Sequence, residues 1–120
     1  RFKEVNDRLG YTTGDEVLTQ FAEIIDSQVR SSDLVFRFKN GDEFVVLFRN
    51  LLENSFAMVG ERLRESVETN PFKTSQDQIN LTVSIGITSI NESDSKTTLI
   101  ERLEKGLKIA KEKENKVLAL

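Results

Sequence analysis

Two short apolar runs on either side of a turn signal constrain the fold of this chain more than any other feature. The runs are residues 33–38 (DLVFRF) and 43–48 (EFVVLF), and residues 39–42 (KNGD) lie between them. Both runs are rich in β-branched and aromatic residues, and Asn-Gly is a strong signal for a hairpin turn. The sequence therefore predicts a β-hairpin whose strands are apolar enough to lie centrally in a sheet.

Apolar residues at helical spacing predict three amphipathic helices around this hairpin. Thr13 and Glu16 form a capping-box pattern, which predicts that the first helix starts at Thr13. Proline stops helix propagation, so Pro71 marks the end of the second. The predicted helices cover residues 13–29, a stretch from Phe56 to Asn70-Pro71, and a stretch from Leu99 to Ala110, after a short helical stretch that ends at Leu9.

Residues 80–90 alternate between large apolar and small side chains, which predicts a strand with room on one face. Residues 117–120 predict a short last strand. The order of elements predicts an α+β fold, with a central, mostly antiparallel sheet that carries 33–38, 43–48 and 80–90 and is flanked by helices. With 120 residues, the chain is long enough for one domain and too short for two.

The chain has no cysteine and no histidine, which limits the metal chemistry that it can support. A catalytic metal would have to be bound by carboxylates, which favours Mg²⁺ or Mn²⁺. The net charge of −3 argues against nucleic-acid binding driven by counterion release. No apolar run approaches the ~20 residues that cross a bilayer, so we expect no direct membrane contact.

The turn sequence Asn40-Gly41-Asp42-Glu43-Phe44 resembles the Gly-Gly-Asp-Glu-Phe signature of the GGDEF, or diguanylate cyclase, family. Other family motifs follow in the expected order over nearly the whole chain. They are Phe2-Lys3-x-x-Asn6-Asp7, Gly10-Tyr11-x-x-Gly14-Asp15, Arg30-x-x-Asp33, Glu61-Arg62-Leu63-Arg64, Thr82-Val83-Ser84-Ile85-Gly86 and Ala110-Lys111. The resemblance implies a palm-like, ferredoxin-like sheet similar to adenylyl cyclases and polymerase palms. It also implies a bacterial signalling enzyme that condenses two GTP into cyclic di-GMP as a face-to-face homodimer.

The resemblance further implies roles for individual residues, because phosphoryl transfer requires metal-binding carboxylates, glycines near phosphate and a nearby cation. The implied residues are Asp42 and Glu43 as catalytic metal ligands, Asn6 and Asp15 for guanine, and Gly41 and Lys111 for the phosphates. Simpler interpretations stay open for five of them. Acids often follow Asn-Gly in exposed turns, as Asp42 and Glu43 do, and Asp15 suits the first turn of a helix. Asn6 would also suit an exposed helix surface, and Lys111 would suit a solvated helix surface beside a glutamate.

Arg30 and Asp33 match the R-x-x-D motif at which the family binds its product, cyclic di-GMP, as an inhibitor. An arginine guanidinium suits the product phosphates and can stack on guanine. The alternative is an arginine that ends a helix before a polar turn, since arginine is favoured at helix C-termini.

Three departures from the family pattern affect the expected activity. The family places a metal-binding aspartate upstream of Phe2, and the sequence starts after that position. Lys39-Asn40 lengthens the signature turn by one residue, and Glu114-Asn115-Lys116 replaces the family's Gly-Arg/Lys-Asn. We therefore expect residues 1–120 alone to be a poor cyclase.

Two hypotheses from different classes remain open at this point. The first is a diguanylate cyclase, working or weak, whose single domain over 1–120 is truncated at its N-terminus, with its first strand missing. The second is a degenerate copy that senses GTP or cyclic di-GMP, or only dimerises. A pure scaffold is a weaker third option. In each case we expect an attached sensory domain and a place in the cytoplasm, or in the cytoplasmic part of a membrane-anchored sensor.

Overall fold

A computed structural model describes residues 2–38, 43–75 and 78–120, and for Phe2 and Lys3 it describes the backbone alone. Contacts divide the chain into two compact units. The first unit contains Arg1–Asn50 and Thr69–Leu81, and the second contains Leu51–Glu68 and Thr82–Leu120. Within the described ranges, every helix is too short or too polar to cross a membrane.

The first unit starts with two helices that follow each other almost directly, α1 (Phe2–Leu9) and α2 (Tyr11–Gln28). Gly10 joins them with φ of 89°, a left-handed conformation that glycine adopts without strain. The predicted capping box at Thr13 is therefore wrong. Because the glycine junction lets α2 start at Tyr11, Thr13 falls in the first turn, where its side chain is fully buried.

The predicted hairpin is confirmed in both of its strands, β1 (Leu34–Phe38) and β2 (Glu43–Leu47). They pair antiparallel, with Leu34 opposite Leu47 and Phe38 opposite Glu43, while the predicted turn over 39–42 lies outside the described residues. The hairpin packs on α2 through Phe44, whose ring lies edge-on to Phe21 with centroids 5.0 Å apart. The core of the unit is apolar and consists of Val5, Val17, Ile24, Ile25 and Phe72.

A second, smaller hairpin in this unit, β3 (Phe72–Lys73) and β4 (Gln78–Ile79), is held by side chains of α2. The Gln20 amide replaces a strand partner for Lys73: its oxygen accepts the backbone N–H at 2.9 Å and its nitrogen donates to the carbonyl at 2.5 Å. One turn earlier, Glu16 accepts hydrogen bonds from the backbone N–H and the hydroxyl of Ser75. These bonds fix the small hairpin to α2.

The second unit contains a short 3-10 helix and two longer helices beside a pair of strands. Its elements are the 3-10 helix Glu53–Ser55, α3 (Phe56–Glu68), β5 (Ile85–Ile87), α4 (Lys96–Lys113) and β6 (Val117–Ala119). β5 and β6 pair in parallel. Gly86 on β5 lies against the backbone of α4, and a Cβ at that position would come 2.8 Å from the amide nitrogen of Leu107. The small face predicted for residues 80–90 therefore accommodates a helix backbone.

The α+β class is confirmed, but the strands of the described residues do not form the predicted central sheet. The described strands form three two-stranded sheets, two antiparallel and one parallel. The predicted strand over 80–90 is reduced to Ile85–Ile87, because its partner β6 offers only three residues for pairing. An alternating pattern predicts an extended backbone. A β-strand also requires a neighbouring strand of similar length to accept its hydrogen bonds, and the alternating pattern does not predict that neighbour.

Two arginines connect the elements of the second unit. Arg102 on α4 makes a bidentate ion pair with Asp94, at 3.0 and 2.6 Å, and donates to the Thr88 hydroxyl and the Ser89 carbonyl. The guanidinium of Arg102 holds the pKa of the Asp94 carboxyl well below its usual range. Arg64 on α3 likewise binds Glu61, Glu68 and the side-chain oxygen of Asn115.

Candidate functional site

Asn6 and Asp15, the residues implied for guanine, lie on either side of the Gly10 junction. The side-chain oxygen of Asn6 on α1 is buried and accepts no hydrogen bond from the described residues. A buried polar atom without a partner is costly and often marks a ligand or water site. Asp15 is exposed in α2, and its carboxylate has no hydrogen bond or ion pair within the described ranges. The Asp15 carboxylate is therefore open to a ligand, whereas the Asn6 oxygen is enclosed and lacks a partner among the described residues.

Asp15 opens onto a groove between α2 and the larger hairpin, here termed the α2 groove. Its volume is about 580 Å³, within the usual range for small-molecule sites. It is lined by Asp15, Leu18, Thr19, Ala22, Glu23 and Asp26 from α2 and by Arg37 and Phe44 from the hairpin. Since Arg37 and Phe44 stand just before and just after the signature turn, the groove brings Asp15 to the strands that carry this turn.

Glu43 is the one implied metal ligand among the described residues, whereas Asp42 and Gly41 lie outside them. Glu43 starts β2 opposite Phe38, so strand alternation places its side chain on the other hairpin face from Phe44 and Arg37. A carboxylate oxygen is a suitable ligand for Mg²⁺ or Mn²⁺. In the described ranges, however, no three His, Cys, Asp or Glu side chains cluster as a metal site would need.

Lys111, implied for phosphate, lies in the other unit, near the C-terminal end of α4, where it is exposed. The chain then turns through Glu114 and Asn115, which have φ of 54° and 48°. These left-handed values favour glycine, the residue that the family has in place of Glu114. The chain has thus kept the backbone turn after losing the glycine, and Asn115 is bonded to Arg64 and Glu68 of α3.

The R-x-x-D motif forms a second, smaller cavity, here termed the Arg30 cavity. Its volume is about 350 Å³, and it is lined by Asp26, Val29, Arg30, Ser31, Asp33 and Val35. An inhibitory site on the surface would expose both residues of the motif; Arg30 is exposed, but Asp33 is only 8% exposed. The reason is that its carboxylate accepts the backbone N–H groups of Arg30 at 2.8 Å and of Arg49 at 3.0 Å. These backbone bonds, that of Arg49 foremost, lower the pKa of Asp33.

The sequence analysis assigns no role to several residues that line the α2 groove. Arg37 could have been found, because it precedes the aromatic residue of the family's signature strand. Leu18 belongs to the apolar pattern of α2 and looks like a core residue. For Asp26, which lines both cavities, no sequence motif provides a signal.

Comparison with known proteins agrees with the motifs. The family model "Diguanylate cyclase, GGDEF domain" matches residues 1–116. Diguanylate cyclase A of Treponema denticola is 38% identical over 107 residues, which cover 88% of this chain and 29% of that protein. Response regulator PleD of Caulobacter vibrioides is 36% identical over 113 residues, which cover 92% of this chain and 25% of PleD. The chain thus spans between a quarter and a third of these relatives.

Solved GGDEF structures share the fold. The GGDEF domain of TpbB, also called YfiN, from Pseudomonas aeruginosa has a TM-score of 0.89 at 33% identity, over 99% of this chain and 70% of that one. The coiled coil and GGDEF domain of DgcB from Caulobacter crescentus, solved with c-di-GMP, has a TM-score of 0.90 at 26% identity, over 100% of this chain and 64% of that one. The chain therefore belongs to the GGDEF family of diguanylate cyclase domains.

Proposed function

We propose that this chain is the nucleotide-binding part of a diguanylate cyclase, which condenses two GTP into cyclic di-GMP. The observation that carries the proposal is the α2 groove. The Asp15 carboxylate lines this groove and has no internal partner among the described residues. The strands of the family signature form the opposite wall. The groove is large enough for a purine nucleotide.

Guanine binds at the Asp15 end of the groove. The base presents N1–H and N2–H donors side by side, and a carboxylate offers two acceptor oxygens in matching positions. The buried oxygen of Asn6 accepts a further donor, which would remove the cost of its missing partner. Leu18 and Ala22 provide apolar surface in the same groove for the face of the base.

The triphosphate extends toward the signature turn. Asp42 and Glu43 would hold Mg²⁺ or Mn²⁺, which when bound neutralises the developing charge on the phosphates. Gly41 allows the backbone to approach a phosphate. The family motif Ala110-Lys111 supports a phosphate-binding role for Lys111 in the second unit. Two chains then face each other as a homodimer, so that each ribose 3′-hydroxyl attacks the α-phosphate of the partner's GTP and displaces pyrophosphate.

The product also regulates the protein through the Arg30 cavity. Arg30 is exposed, and its guanidinium has no hydrogen bond or ion pair within the described ranges, so it can bind a phosphate of cyclic di-GMP. Because the relatives are several times longer than this chain, we further propose that a sensory domain is attached and that the domain works in the cytoplasm.

A second candidate function is a degenerate module that binds GTP or cyclic di-GMP without turnover. One specific observation favours it. Glu43 lies on the hairpin face away from the α2 groove, and no cluster of three potential ligands exists in the described ranges. In this case the groove would bind GTP as a signal.

Calorimetry with GTP and ATP, followed by an assay for cyclic di-GMP with Mg²⁺, tests both candidates. We expect Asp15→Ala to weaken GTP binding by about tenfold to a hundredfold, the usual value of hydrogen bonds to a charged group. Asp7→Ala is the matched control, because Asp7 is an exposed helical aspartate outside the groove. Equal GTP affinity in wild type and Asp15→Ala would contradict the site. GTP binding without product would favour the binding module, whereas product that is lost in Glu43→Ala would favour the cyclase.

A further inference from the structure

Tyr11 is the most exposed of the large hydrophobic side chains that the structure describes, at 78%. It is the first residue of α2 and directly follows Gly10, the left-handed junction between the two helices. Its side chain makes no hydrogen bond and no ring contact with the described residues. The ring is therefore available to a ligand.

Helix geometry places Tyr11 at the Asp15 end of the α2 groove, one turn before the first residue that lines it. Residues four apart in a helix share a face with their Cβ atoms about 5–6 Å apart, and their side chains lean toward the helix N-terminus. Leu18 and Ala22 continue the same stripe along the groove wall. The Asp15 carboxylate thus leans over the turn that carries Tyr11, so a base that meets this carboxylate lies beside the ring.

The spacing along α2 suits stacking of a base on the Tyr11 ring. Four residues rise about 6 Å along a helix axis, and the centroids of interacting aromatic rings lie roughly 4.5–7 Å apart. A base whose edge is level with Asp15 is therefore about one stacking distance from a ring that is level with Tyr11.

The side chains that line the groove offer weaker contacts for the face of a base. Phe44 is the aromatic residue among them, and its ring already lies edge-on to Phe21. Leu18 and Ala22 are aliphatic, whereas an aromatic ring adds stacking to the burial of apolar surface. Tyr11 is thus the side chain best suited to cover the base at this end of the groove.

We propose that Tyr11 is a further nucleotide-binding residue, whose ring stacks on the guanine that Asp15 recognises. The inference rests on the proposed function of the α2 groove as the GTP site. It separates two contributions to binding. Asp15 distinguishes guanine from adenine through hydrogen bonds, whereas Tyr11 adds affinity for either purine, because every base has a π face.

Calorimetry with GTP and with ATP tests this separation. Tyr11→Ala should weaken the binding of both nucleotides by about fivefold to twentyfold and leave the preference for GTP unchanged. Tyr11→Phe keeps the ring and should bind both as the wild type does. Thr12→Ala is the matched control, because Thr12 is exposed in the same turn and lies roughly 100° around the helix from Tyr11. Since both side chains are exposed, all three variants should unfold at the urea concentration of the wild type.

Tyrosine fluorescence gives a second readout, which a purely structural role would not produce. Tyr11 is the only tyrosine and the chain has no tryptophan, so the emission reports on this ring alone. A stacked guanine should quench the emission, with half of the change at the Kd for GTP that calorimetry gives. Free tyrosine at the same GTP concentrations corrects for the light that the nucleotide absorbs.

Asp15→Ala distinguishes failure of this inference from failure of the proposed site. If Asp15→Ala weakens GTP binding while Tyr11→Ala leaves both affinities unchanged and the emission does not respond to GTP, the site stands and the role of Tyr11 is refuted. If Tyr11→Phe binds as weakly as Tyr11→Ala, the hydroxyl makes the contact and stacking is refuted. If the wild type does not bind GTP, or if Asp15→Ala and Tyr11→Ala both bind it as the wild type does, the groove is not the site and both proposals fall.

Discussion

Selected charged side chains of the two units are bonded in different ways. In the second unit, Arg64 and Arg102 are bound to acidic and polar neighbours and connect helices to the chain around them. In the first unit, the carboxylates of Asp15 and Asp26 line cavities and have no bonded partner among the described residues. Charge that is bonded internally contributes to stability, whereas unbonded charge beside a cavity is available for a ligand. Under the proposed function, the Asp15 carboxylate is the one of these charged groups that meets the base of a nucleotide.

The largest expected effect tests the packing of the second unit. Gly86→Val should lower the free energy of unfolding by roughly 3 kcal/mol, because even a Cβ would lie 2.8 Å from the backbone of α4. Urea unfolding measures the loss. Gly106→Ala is the control, since its Cβ would meet the movable end of Leu120 at 3.0 Å and the Gly86 backbone only at 3.8 Å, an ordinary contact distance, and alanine favours a helix. Equal losses in the two variants would contradict the close approach of β5 and α4.

Two aspartates of the first unit test the contrast between bonded and unbonded charge. Asp33→Ala should cost about 2 kcal/mol of stability, because it leaves two backbone N–H groups without their acceptor. Asp15→Ala should change stability by no more than about 0.5 kcal/mol, since the side chain is exposed and has no bonded partner in the described ranges. Chemical denaturation of both variants checks this. A cost for Asp15→Ala as large as that for Asp33→Ala would show that Asp15 has a structural role.

Protonation of Asp33 and Asp94 should lower the free energy of unfolding less than these substitutions do, because it removes the charge and leaves the side chains in place. The pKa values of Asp33 and Asp94 lie below the ordinary 3.8 in the folded chain, so the unfolded chain binds more protons in acid. The unfolding free energy should therefore be constant above about pH 5 and fall as the pH drops through about 4. Urea midpoints at several pH values, with Asp33→Asn and Asp94→Asn, measure the slope. A double variant with the full wild-type slope would refute this assignment.

The elements that sequence predicts well are those that depend on local pattern. The apolar periodicity of α2 and α3 and the two β-rich runs around Asn40-Gly41 each act within one segment. The length of β5 depends instead on its partner β6, which is about 30 residues away in the chain. The start of α2 is predicted wrongly because the Thr13 pattern imitates a cap, while the actual junction depends on the left-handed backbone of Gly10.

The residues of the candidate site also fall into two groups, those that a local motif identifies and those that only the tertiary structure reveals. Family motifs identify Asp15, Arg30 and Asp33, but no motif reveals that the Asp33 carboxylate turns back onto two backbone N–H groups. That bonding depends on where β2 ends, which is a tertiary property. Asp26 belongs to no motif, and its place between two cavities becomes visible only when α2 and the hairpin have been packed together.

The contact between Gly86 and the backbone of α4 has a consequence for a residue that it does not touch. Lys111, the proposed phosphate ligand, lies five residues after Gly106 on α4, roughly 7.5 Å along the helix axis. A larger residue at Gly86 would press on the backbone of α4 at Gly106 and Leu107, so α4 or β5 would have to shift. Where α4 shifts, the substitution moves the positive charge of Lys111 and leaves the net charge of the chain unchanged.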